Sequence, residues 1–343
     1  MSLRVLKPGL QTTVQDLGRP NHQIDGFPTS GVMDQPAAIT ANLLVGNPAS
    51  AAVLEFFMAG PTVEFTVSTF IALGGADFKA TLNDQPVDPN RCYQVHEGDR
   101  LAIGHAASGR IGYLAVTGGL QVAPVLGSRS TTLRLQLGGY SGRPLQAGDD
   151  LPIEEHLTLP GYYHRHTKGA APVSKDTTAT ISVLKGPQWD WFDPASRESF
   201  LDTTYTVSNQ SDRMGYRLSG PTLPVPDQSM LSAATVMGAI QIPASGQPIV
   251  LMADRQTTGG YPLLAVIASA DLPTFTQLAP GQTVQFNLID QAEAQTRLEE
   301  GRRTINQLAQ KLRSAAFLPP YGITRVPTSG SPLYLRRSNH EHR

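Results

Sequence analysis

Short apolar runs separated by turn residues make up most of the first half of the chain. Many runs alternate apolar and polar residues, and Gly, Pro, Asn or Asp stands between them. This spacing is typical of the strands of an antiparallel sandwich or barrel. Strands are predicted at 3–6, 53–57, 62–67, 70–73, 80–82, 91–95, 100–103 and 111–116. We therefore expect an N-terminal β module over residues 1–156.

One segment of this module has the signals of a helix instead. Asp34 precedes residues 35–45 and can accept a hydrogen bond from a free amide of the first helical turn. Pro36 is tolerated in that turn, and Gly46-Asn47-Pro48 ends the helix. Capping alone accounts for Asp34, so a helix is predicted at 35–45 whatever else Asp34 does.

The second half repeats the first in outline. Val5-Leu-Lys-Pro-Gly9 is matched by Val183-Leu-Lys-Gly-Pro187, and Gly60-Pro-Thr-Val63 by Gly220-Pro-Thr-Leu223. Each marker is weak, but their common order predicts two related β modules. The second module is expected at 181–290, which makes the chain mainly β with a few helices.

The remaining segments have other patterns. Residues 157–180 show little periodicity and are predicted to be a linker or an exposed loop. Asp290 can cap a final helix over 291–314, whose leucines and isoleucine share one face. Through that face the helix is expected to pack on the barrel or on a partner. The tail at 315–343 is basic and punctuated by Gly, Pro and Ser, and we expect it to be flexible.

Composition narrows the class of protein. Charged residues make up 16% of the 343 residues, and the net charge is −1. This balance argues against a nucleic-acid partner or an anionic membrane surface. The 27 basic residues comprise 21 Arg and 6 Lys, a bias towards the side chain that binds carboxylate or phosphate through two parallel hydrogen bonds. Small anionic ligands are therefore the expected partners.

Targeting and metal signals are weak. The N-terminus, Met-Ser-Leu-Arg-Val-Leu-Lys-Pro, does not resemble a signal peptide, and no 18-residue apolar segment occurs. Cys92 is the only cysteine, which excludes an intrachain disulfide or a cysteine-based zinc site. His164 and His166 lack a third candidate ligand, so no metal site is predicted. The expectation is a cytoplasmic, soluble protein.

The strongest candidate for a binding site follows a predicted strand at 248–253. This strand leads into Asp254 and a polar turn that supplies acceptors, a guanidinium and hydroxyls. Gly259-Gly260 permits positive φ and a close approach of ligand to backbone. The alternative is a solvated hairpin turn. The candidate substrate-binding residues are Gln241, Arg255, Gln256, Thr257, Thr258, Gly259, Gly260 and Tyr261.

A second polar stretch lies at 11–34. Gln11, Thr13 and Gln15 would fall on one side of an extended segment, because side chains alternate with a period of two. So concentrated a set of polar side chains is either a solvated edge or the wall of a site. The candidates are Gln11, Thr12, Gln15, Asp16, Arg19, Ser30, Met33 and Asp34.

A third stretch, 207–217, contains two arginines. Arg213 and Arg217 are four residues apart and would share a side on either a helix or a strand. They could bind a carboxylate or phosphate, or they could form surface ion pairs that contribute little. If the modules pack together, this stretch is expected to meet 11–34 and 254–261 at their interface, where ligand sites are common.

Several familiar catalytic motifs are absent. There is no Gly-Lys dipeptide, hence no phosphate-binding P-loop, and no glycine fingerprint for a dinucleotide. No Met-Lys pair offers the usual biotin attachment, and neither Gly-x-Ser-x-Gly nor His-Glu-x-x-His occurs. An enzyme of this kind would orient donors around a small substrate or act as one subunit of a composite enzyme.

Several motifs together resemble one known family. They are Gln11-Thr-Thr-x-Gln-Asp-x-Gly-Arg19, Ser30-Gly-x-Met-Asp34, Asn42 with Val45-Gly-Asn47, Leu54-Glu55, Gly60-Pro61, Ser211-Asp-Arg-Met-Gly-Tyr-Arg-Leu218 and Gln241-x-Pro-x-x-Gly-x-Pro-Ile-Val-Leu-Met-Ala-Asp-Arg-Gln-Thr-Thr-Gly-Gly-Tyr-Pro262. Over about residues 3–312 the chain resembles the biotin-dependent carboxyltransferase family. That family includes the C subunit of 5-oxoprolinase, also named KipI antagonist, and the carboxyltransferase module of urea carboxylase.

The resemblance implies a fold of two cyclophilin-like β-barrel modules packed together. It also implies that the chain acts with the A subunit and the KipI-like B subunit of 5-oxoprolinase to open 5-oxo-L-proline to L-glutamate with ATP. The chain would be inactive alone, and ATP would be bound by the complex rather than by a familiar motif here. Asp254, Arg213 and Asp212 are the expected catalytic residues, and the other candidates would bind the small anionic or amide substrate.

Two alternatives stay open. The chain could be the carboxyltransferase module of a biotin-dependent urea or amide carboxylase, with biotin attached elsewhere. It could also be a non-catalytic regulator that binds a KipI-like partner. Under the oxoprolinase hypothesis, Arg213→Ala and Asp254→Ala should each abolish turnover without unfolding the chain.

Overall fold

A computed structural model describes residues 1–169, 177–228 and 230–315. This part of the chain is mainly β, with four α-helices, which confirms the predicted fold class. The helices are α1 (Gln35–Leu44), α2 (Pro194–Asp202), α3 (Leu272–Thr276) and α4 (Gln291–Ala315). None of them is both long and apolar enough to cross a lipid bilayer.

The N-terminal module is built from two stacked sheets. Its strands are β1 (Ser2–Lys7), β2 (Gln11–Gln15), β3 (Val53–Phe57), β4 (Thr62–Phe65), β5 (Thr69–Asp77), β6 (Thr81–Leu82), β7 (Gln85–Pro86), β8 (Cys92–Val95), β9 (Arg100–Ala102), β10 (Ser108–Val116) and β11 (Asp150–Pro152). One sheet has the order β11-β1-β4-β9-β6-β7 and the other β2-β3-β10-β5-β8. Val5 and Val63 of the first sheet share a core with Leu54 and Leu114 of the second. The apolar faces of the two sheets therefore pack on each other.

The C-terminal module is a closed barrel. Its seven strands are β12 (Ala179–Lys185), β13 (Tyr205–Val207), β14 (Gly215–Ser219), β16 (Ala239–Gln241), β17 (Ile249–Leu251), β19 (Leu263–Ile267) and β20 (Thr283–Leu288). The order is β12-β19-β16-β17-β14-β13-β20, and β20 pairs in parallel with β12 to close the ring. A separate ribbon of β15 (Ala233–Ala234) and β18 (Thr258–Gly259) lies outside this ring.

The two modules share one hydrophobic core. Phe57 and Phe70 of the second sheet lie in the same buried cluster as Ile240 and Phe275 of the C-terminal module. The sheet is therefore covered on both faces, which explains why β3 has no exposed residue and reads as a nearly continuous apolar run. This arrangement places the ends of the barrel strands against the N-terminal module.

The segment predicted as a linker or exposed loop is partly packed. Residues Tyr162–His164 form a 3₁₀-helix, and the next side chain, Arg165, is buried. Arg165 donates to the carbonyls of Leu43 and Leu44 at 2.8 and 2.7 Å, and to that of Leu312 at 3.1 Å. The last carbonyls of a helix lack partners within it, so this guanidinium both caps α1 and ties α4 to it. The exposed-loop prediction is wrong at Arg165, whereas Tyr163 is exposed, and 170–176 lie outside the described residues.

Both predicted helix starts are confirmed. Asp34 accepts from the amide of Ala37 at 3.1 Å, and Asp290 accepts from that of Glu293 at 2.8 Å. The helix α4 packs Leu308 and Leu312 against the shared core, as its apolar stripe predicts. The tail beyond 315 lies outside the described residues.

Candidate functional site

Three polar stretches meet where the barrel packs on the N-terminal module. The amide of Ser30 donates to the carbonyl of Ala253 at 3.1 Å. Arg213 donates to the carbonyl of Gly31 at 2.7 Å, and the Gln23 amide to that of Thr257 at 2.9 Å. The stretches 11–34, 207–217 and 254–261 therefore lie together, as the sequence suggested they would if the modules packed.

Arg213 is at the centre of this cluster. Its Nε and Nη2 donate to the two carboxylate oxygens of Asp254 at 2.8 and 3.0 Å, and Nη1 donates to Glu55. With the bond to Gly31, four of the five N–H donors of the guanidinium are used. Although burial lowers it, the attraction of Asp254 and Glu55 raises the pKa of Arg213 above its usual value. The Arg213 guanidinium therefore bonds mainly to groups of the protein itself.

Glu55 is the residue that sequence reasoning left out of the site. Its second oxygen accepts from the amide of Met33 and the hydroxyl of Tyr113, both at 2.8 Å. Burial raises the pKa of Glu55, because desolvation outweighs the attraction of Arg213 and these hydrogen bonds. A carboxylate in the otherwise apolar strand Val53–Phe57 was the available signal, since a buried charge needs a partner.

The loop that presents Arg213 is fixed from several sides. Asp212 accepts from the amides of Met214 and Gly215 at 2.8 and 3.2 Å, so this exposed residue shapes the turn. Arg110 donates to the carbonyl of Ser211 at 2.5 Å. Its guanidinium also lies 4.5 Å from the centre of the Tyr216 ring. These contacts hold the turn against the N-terminal module.

Arg213 and Arg217 do not share a side, contrary to prediction. Arg213 precedes β14 and is buried, whereas Arg217 lies within that strand and is exposed. Arg217 lines an open depression with Gln210 and Gln247 on the outer surface of the barrel. The reason is the turn at Asp212, which breaks the extended period that the prediction assumed. The two arginines therefore cannot bind one anion together.

Arg255 is buried at the same interface but has few partners. It is 8% exposed, and Nη1 donates to the carbonyl of Met252 at 3.3 Å. Its Nε is buried without a hydrogen-bond partner among the described residues. Burial lowers the pKa of Arg255, against the attraction of Asp254. Unlike Arg213, this guanidinium has no bonded carboxylate among the described residues.

Arg19 is another buried arginine without a bonded carboxylate. Nη1 donates to the hydroxyl of Thr132 at 2.5 Å and Nη2 to the carbonyl of Ser130. Burial lowers the pKa of Arg19, and attraction to Asp16 and Asp254 opposes that shift. Asp254 is therefore close enough to attract three arginines, Arg19, Arg213 and Arg255.

Asp16 stabilises the loop at residues 128–130. One oxygen accepts from the hydroxyls of Ser128 and Ser130, each at 2.6 Å, and from the amide of Gly18 at 2.8 Å. The other accepts from the amide of Arg129 at 2.6 Å. With its oxygens occupied by protein donors, Asp16 fixes the loop that carries the partners of Arg19.

The neighbouring candidates on β2 also bond mainly to the protein. Gln15 donates to the carbonyl of Thr131 at 3.0 Å, and Thr12 to that of Pro8 at 2.6 Å. Gln11 begins β2 at the edge of the sheet and is half-buried. The structure thus places Gln11, Thr12 and Gln15 in strand architecture rather than around Asp254.

Met33 and Asp34 connect the cluster to α1. The Met33 side chain is buried in the shared core. The amide of Asp34 donates to the hydroxyl of Tyr113 at 2.8 Å, and its carboxylate accepts from Gln277 at 2.9 Å. Burial raises the pKa of Asp34, against the hydrogen bonds from Gln277 and Ala37.

The turn after Asp254 is held by Thr235 and Gln23. Thr235 donates its hydroxyl to the carbonyl of Gln256, and its amide to that of Thr257 at 3.1 Å. Gly259 and Gly260 could adopt positive φ, but neither of them does so here. A Cβ at 259 would lie 2.6 Å from the Gln241 amide nitrogen, so a larger residue there would require this flexible side chain to move.

The far end of the turn is open. Thr258 and Gly260 are exposed, and the Tyr261 side chain is 46% exposed. Gln241 is buried at the base of the turn, beside Gly259. Among the described residues, no three His, Cys, Asp or Glu side chains are placed to hold a metal ion. The arrangement offers cationic and amide donors to a small anion.

These features define a carboxyltransferase-type pair of β modules with a charged cluster at their interface. The model of the family described as "Carboxyltransferase domain, subdomain A and B" matches residues 25–288. The chain belongs to this family.

Relatives of two kinds match most of the chain. The C subunit of 5-oxoprolinase from Escherichia coli is 40% identical over 314 residues, which cover 91% of this chain and 99% of the relative. The urea amidolyase of Lachancea kluyveri is 34% identical over 93% of this chain but only 19% of its own length. The crystal structure of Kluyveromyces lactis urea carboxylase superposes with a TM-score of 0.81 and 32% identity, covering 90% of this chain and 29% of that one.

Proposed function

We propose that the chain is the C subunit of an ATP-dependent 5-oxoprolinase and acts with the A and B subunits to convert 5-oxo-L-proline to L-glutamate. The observation that carries this proposal is the match to the Escherichia coli C subunit, which spans nearly the full length of both chains. The urea enzymes, by contrast, contain this module as a fraction of a much longer chain.

The interface cluster has the donors that this substrate needs. The substrate carries a carboxylate and a lactam oxygen, and both would be bound by N–H or O–H groups. We assign the carboxylate to Arg255, because its guanidinium is buried yet largely unpartnered. Arg213 cannot take this role without giving up bonds to Asp254, Glu55 or Gly31.

We assign Asp254 a role beside the bound substrate. Each of its oxygens accepts one N–H from Arg213 and keeps a lone pair, so it can accept a proton from an attacking water. Arg213 then acts as a positioning residue that fixes the carboxylate. Asp212 is assigned to the turn that holds Arg213 and not to the reaction.

ATP would supply the phosphoryl group that activates the lactam oxygen. The chain has no P-loop motif, so we assign ATP binding to the assembled complex. The C subunit alone should therefore release no glutamate.

A second candidate function is carboxyl transfer in a biotin-dependent urea or amide carboxylase. The family model and the urea amidolyase relative favour it. In that case the biotin would be carried by another part of the enzyme, because this chain lacks the usual attachment pair. Arg255 and the turn after it would then bind the carboxyl group in transit.

The test is glutamate release from 5-oxoproline and ATP by this chain co-purified with the A and B subunits, with each of the three omitted in turn. We expect release only from the full set. A complete, stable complex that releases no glutamate would overturn the proposed function. Carboxylation of urea-like amides in the presence of carboxybiotin would then support the second candidate.

A further inference from the structure

A chain of two hydroxyls leads from Arg19 to Ser30, which lies beside the cluster around Arg213. Arg19 donates to the Thr132 hydroxyl at 2.5 Å, and the hydroxyls of Thr132 and Ser30 are 2.7 Å apart. Arg19 and Thr132 are fully buried, whereas Ser30 is 6% exposed. We call these three residues the hydroxyl relay.

Burial fixes the direction of the hydrogen bond between the two hydroxyls. Arg19 can only donate, so the Thr132 oxygen accepts from it. Ser30 is the only other partner of the Thr132 hydroxyl among the described residues. If Ser30 donated, the Thr132 proton would be buried without an acceptor, which costs about 1–3 kcal/mol. Thr132 therefore donates to Ser30, and the Ser30 proton is left free for an acceptor other than Thr132.

The backbone holds Ser30 in a fixed place beside Asp254. Its φ is 52°, in the left-handed region that a serine adopts only when its surroundings impose it. Its amide donates to Ala253 at 3.1 Å, and the next carbonyl, of Gly31, accepts from Arg213 at 2.7 Å. The Ser30 end of the relay is thus fixed against the residue before Asp254 and against the guanidinium that binds Asp254.

We propose that the Ser30 hydroxyl donates a hydrogen bond to the lactam-derived oxygen of the substrate, which carries the transferred phosphoryl group and gains negative charge when water has attacked the carbon and phosphate leaves. Thr132 and Arg19 act as positioning residues, because they direct the Ser30 proton away from Thr132 and place a cation behind it. Hydrogen bonds in such a chain polarise one another, which strengthens the final donor. The acceptor is a carbonyl-derived oxygen of a small amide, and no proton is transferred. This inference rests on the proposed function.

The direction of the relay is tested first, and without any activity. Neutron diffraction from a crystal of the full chain after exchange into heavy water would locate the hydroxyl deuterons. We expect the Thr132 deuteron to point at the Ser30 oxygen and the Ser30 deuteron to point away from Thr132. A Ser30 deuteron directed at Thr132 would overturn the relay.

The role in catalysis is tested in the complex with the A and B subunits. Ser30→Ala should lower kcat about 100-fold, the effect of removing one donor to a developing oxyanion. Thr132→Val should lower kcat at least about 10-fold, whereas Thr132→Ser, which keeps the hydroxyl, should stay within about twofold of the wild type. The double variant Ser30→Ala/Thr132→Val should be no slower than Ser30→Ala, because the residues act as one unit.

The readouts separate this role from a structural one. KM and the unfolding temperature should change little in Ser30→Ala and Thr132→Ser. Equal kcat values for Thr132→Val and Thr132→Ser, or additive losses in the double variant, would overturn the assignment. A wild-type complex that releases no glutamate would overturn the proposed function and the assigned acceptor, while the neutron result would still decide the relay itself.

Discussion

Arg213 and Arg255 are buried arginines at the same interface with opposite surroundings. Arg213 meets two carboxylates and a carbonyl, whereas Arg255 has one long bond to a carbonyl and a buried Nε without a partner among the described residues. A buried cation is expensive unless it is paired. The difference shows that Arg213 is part of the charge pairing at the interface, and it supports our proposal that Arg255 binds an anion from outside the chain.

The largest expected effect on stability comes from removing the paired arginine. Arg213→Met leaves Asp254 and Glu55 buried without their cation, so the free energy of unfolding should fall by about 3–5 kcal/mol. This differs from the sequence-based expectation that Arg213→Ala would lose turnover without unfolding. Urea denaturation of the purified chain measures the loss.

A matched control is an arginine paired on the surface. Arg100 donates to Glu64 at 2.8 Å, but its side chain is 64% exposed. Arg100→Ala should cost at most about 1 kcal/mol. Equal losses of unfolding free energy in Arg213→Met and Arg100→Ala would show that burial does not determine how much Arg213 contributes to stability.

The pH dependence of stability tests the state of Glu55, one of the two carboxylates paired with Arg213. Burial raises the pKa of Glu55 above its ordinary 4.5, so the folded state binds this proton more tightly than the unfolded state. The stability that this group contributes is present below pH 4.5 and is lost as the pH rises through the folded pKa. Relative to Glu55→Gln, the wild type should therefore lose stability with rising pH.

Denaturation of both proteins at a series of pH values from 4 upwards makes this measurement. The free energy of unfolding of the wild type minus that of Glu55→Gln should fall as the pH rises. A value that rises or stays constant would contradict the raised pKa of Glu55. Asp34→Asn serves as a second case, since burial raises the pKa of that carboxyl as well.

Removing the unpartnered arginine should barely affect folding. Arg255→Met deletes a buried cation that has one protein bond, so the free energy of unfolding should change by less than about 1 kcal/mol and in either direction. Arg255→Lys keeps the charge and controls for its electrostatic effect. A loss as large as that of Arg213→Met would mean that Arg255 is part of the architecture too.

Replacement of Arg217, four residues after Arg213, should have the smallest effect on the free energy of unfolding. Arg217 is exposed on β14, so Arg217→Ala should leave stability within about 0.5 kcal/mol. Thermal unfolding of Arg217→Ala and Arg213→Met under the same conditions compares the two losses of stability directly. A comparable loss in Arg217→Ala would revive the idea that the two arginines form one unit.

Local signals in the sequence predicted the elements well. Strand Val53–Phe57 was predicted with its observed bounds, and Asp34 and Asp290 cap the helices as their residue types suggest. The region 157–169 was harder, because its packing depends on Arg165 reaching the distant carbonyls of α1 and α4. No local pattern shows such a contact.

The proximity of the three polar stretches was predicted from the sequence, but the pairing of their arginines was not. The residue types around Asp254 indicated a charged site, but one sequence cannot tell a paired arginine from an unpartnered one. Arg213 and Asp254 are 41 residues apart and Glu55 is 158 from Arg213, so their pairing is a property of the packed modules. Thr132, which supports Ser30, carries no sequence signal of its own.

The most direct test of the role of Arg255 compares the wild type with Arg255→Met in the reconstituted complex with the A and B subunits. Glutamate release from 5-oxoproline and ATP is measured per mole of assembled complex. If Arg255 binds the substrate carboxylate as we propose, we expect release by the wild type and a loss of kcat/KM of about 100-fold or more in a variant that still folds and assembles. Undiminished release by Arg255→Met would contradict the assignment of the substrate carboxylate to this side chain.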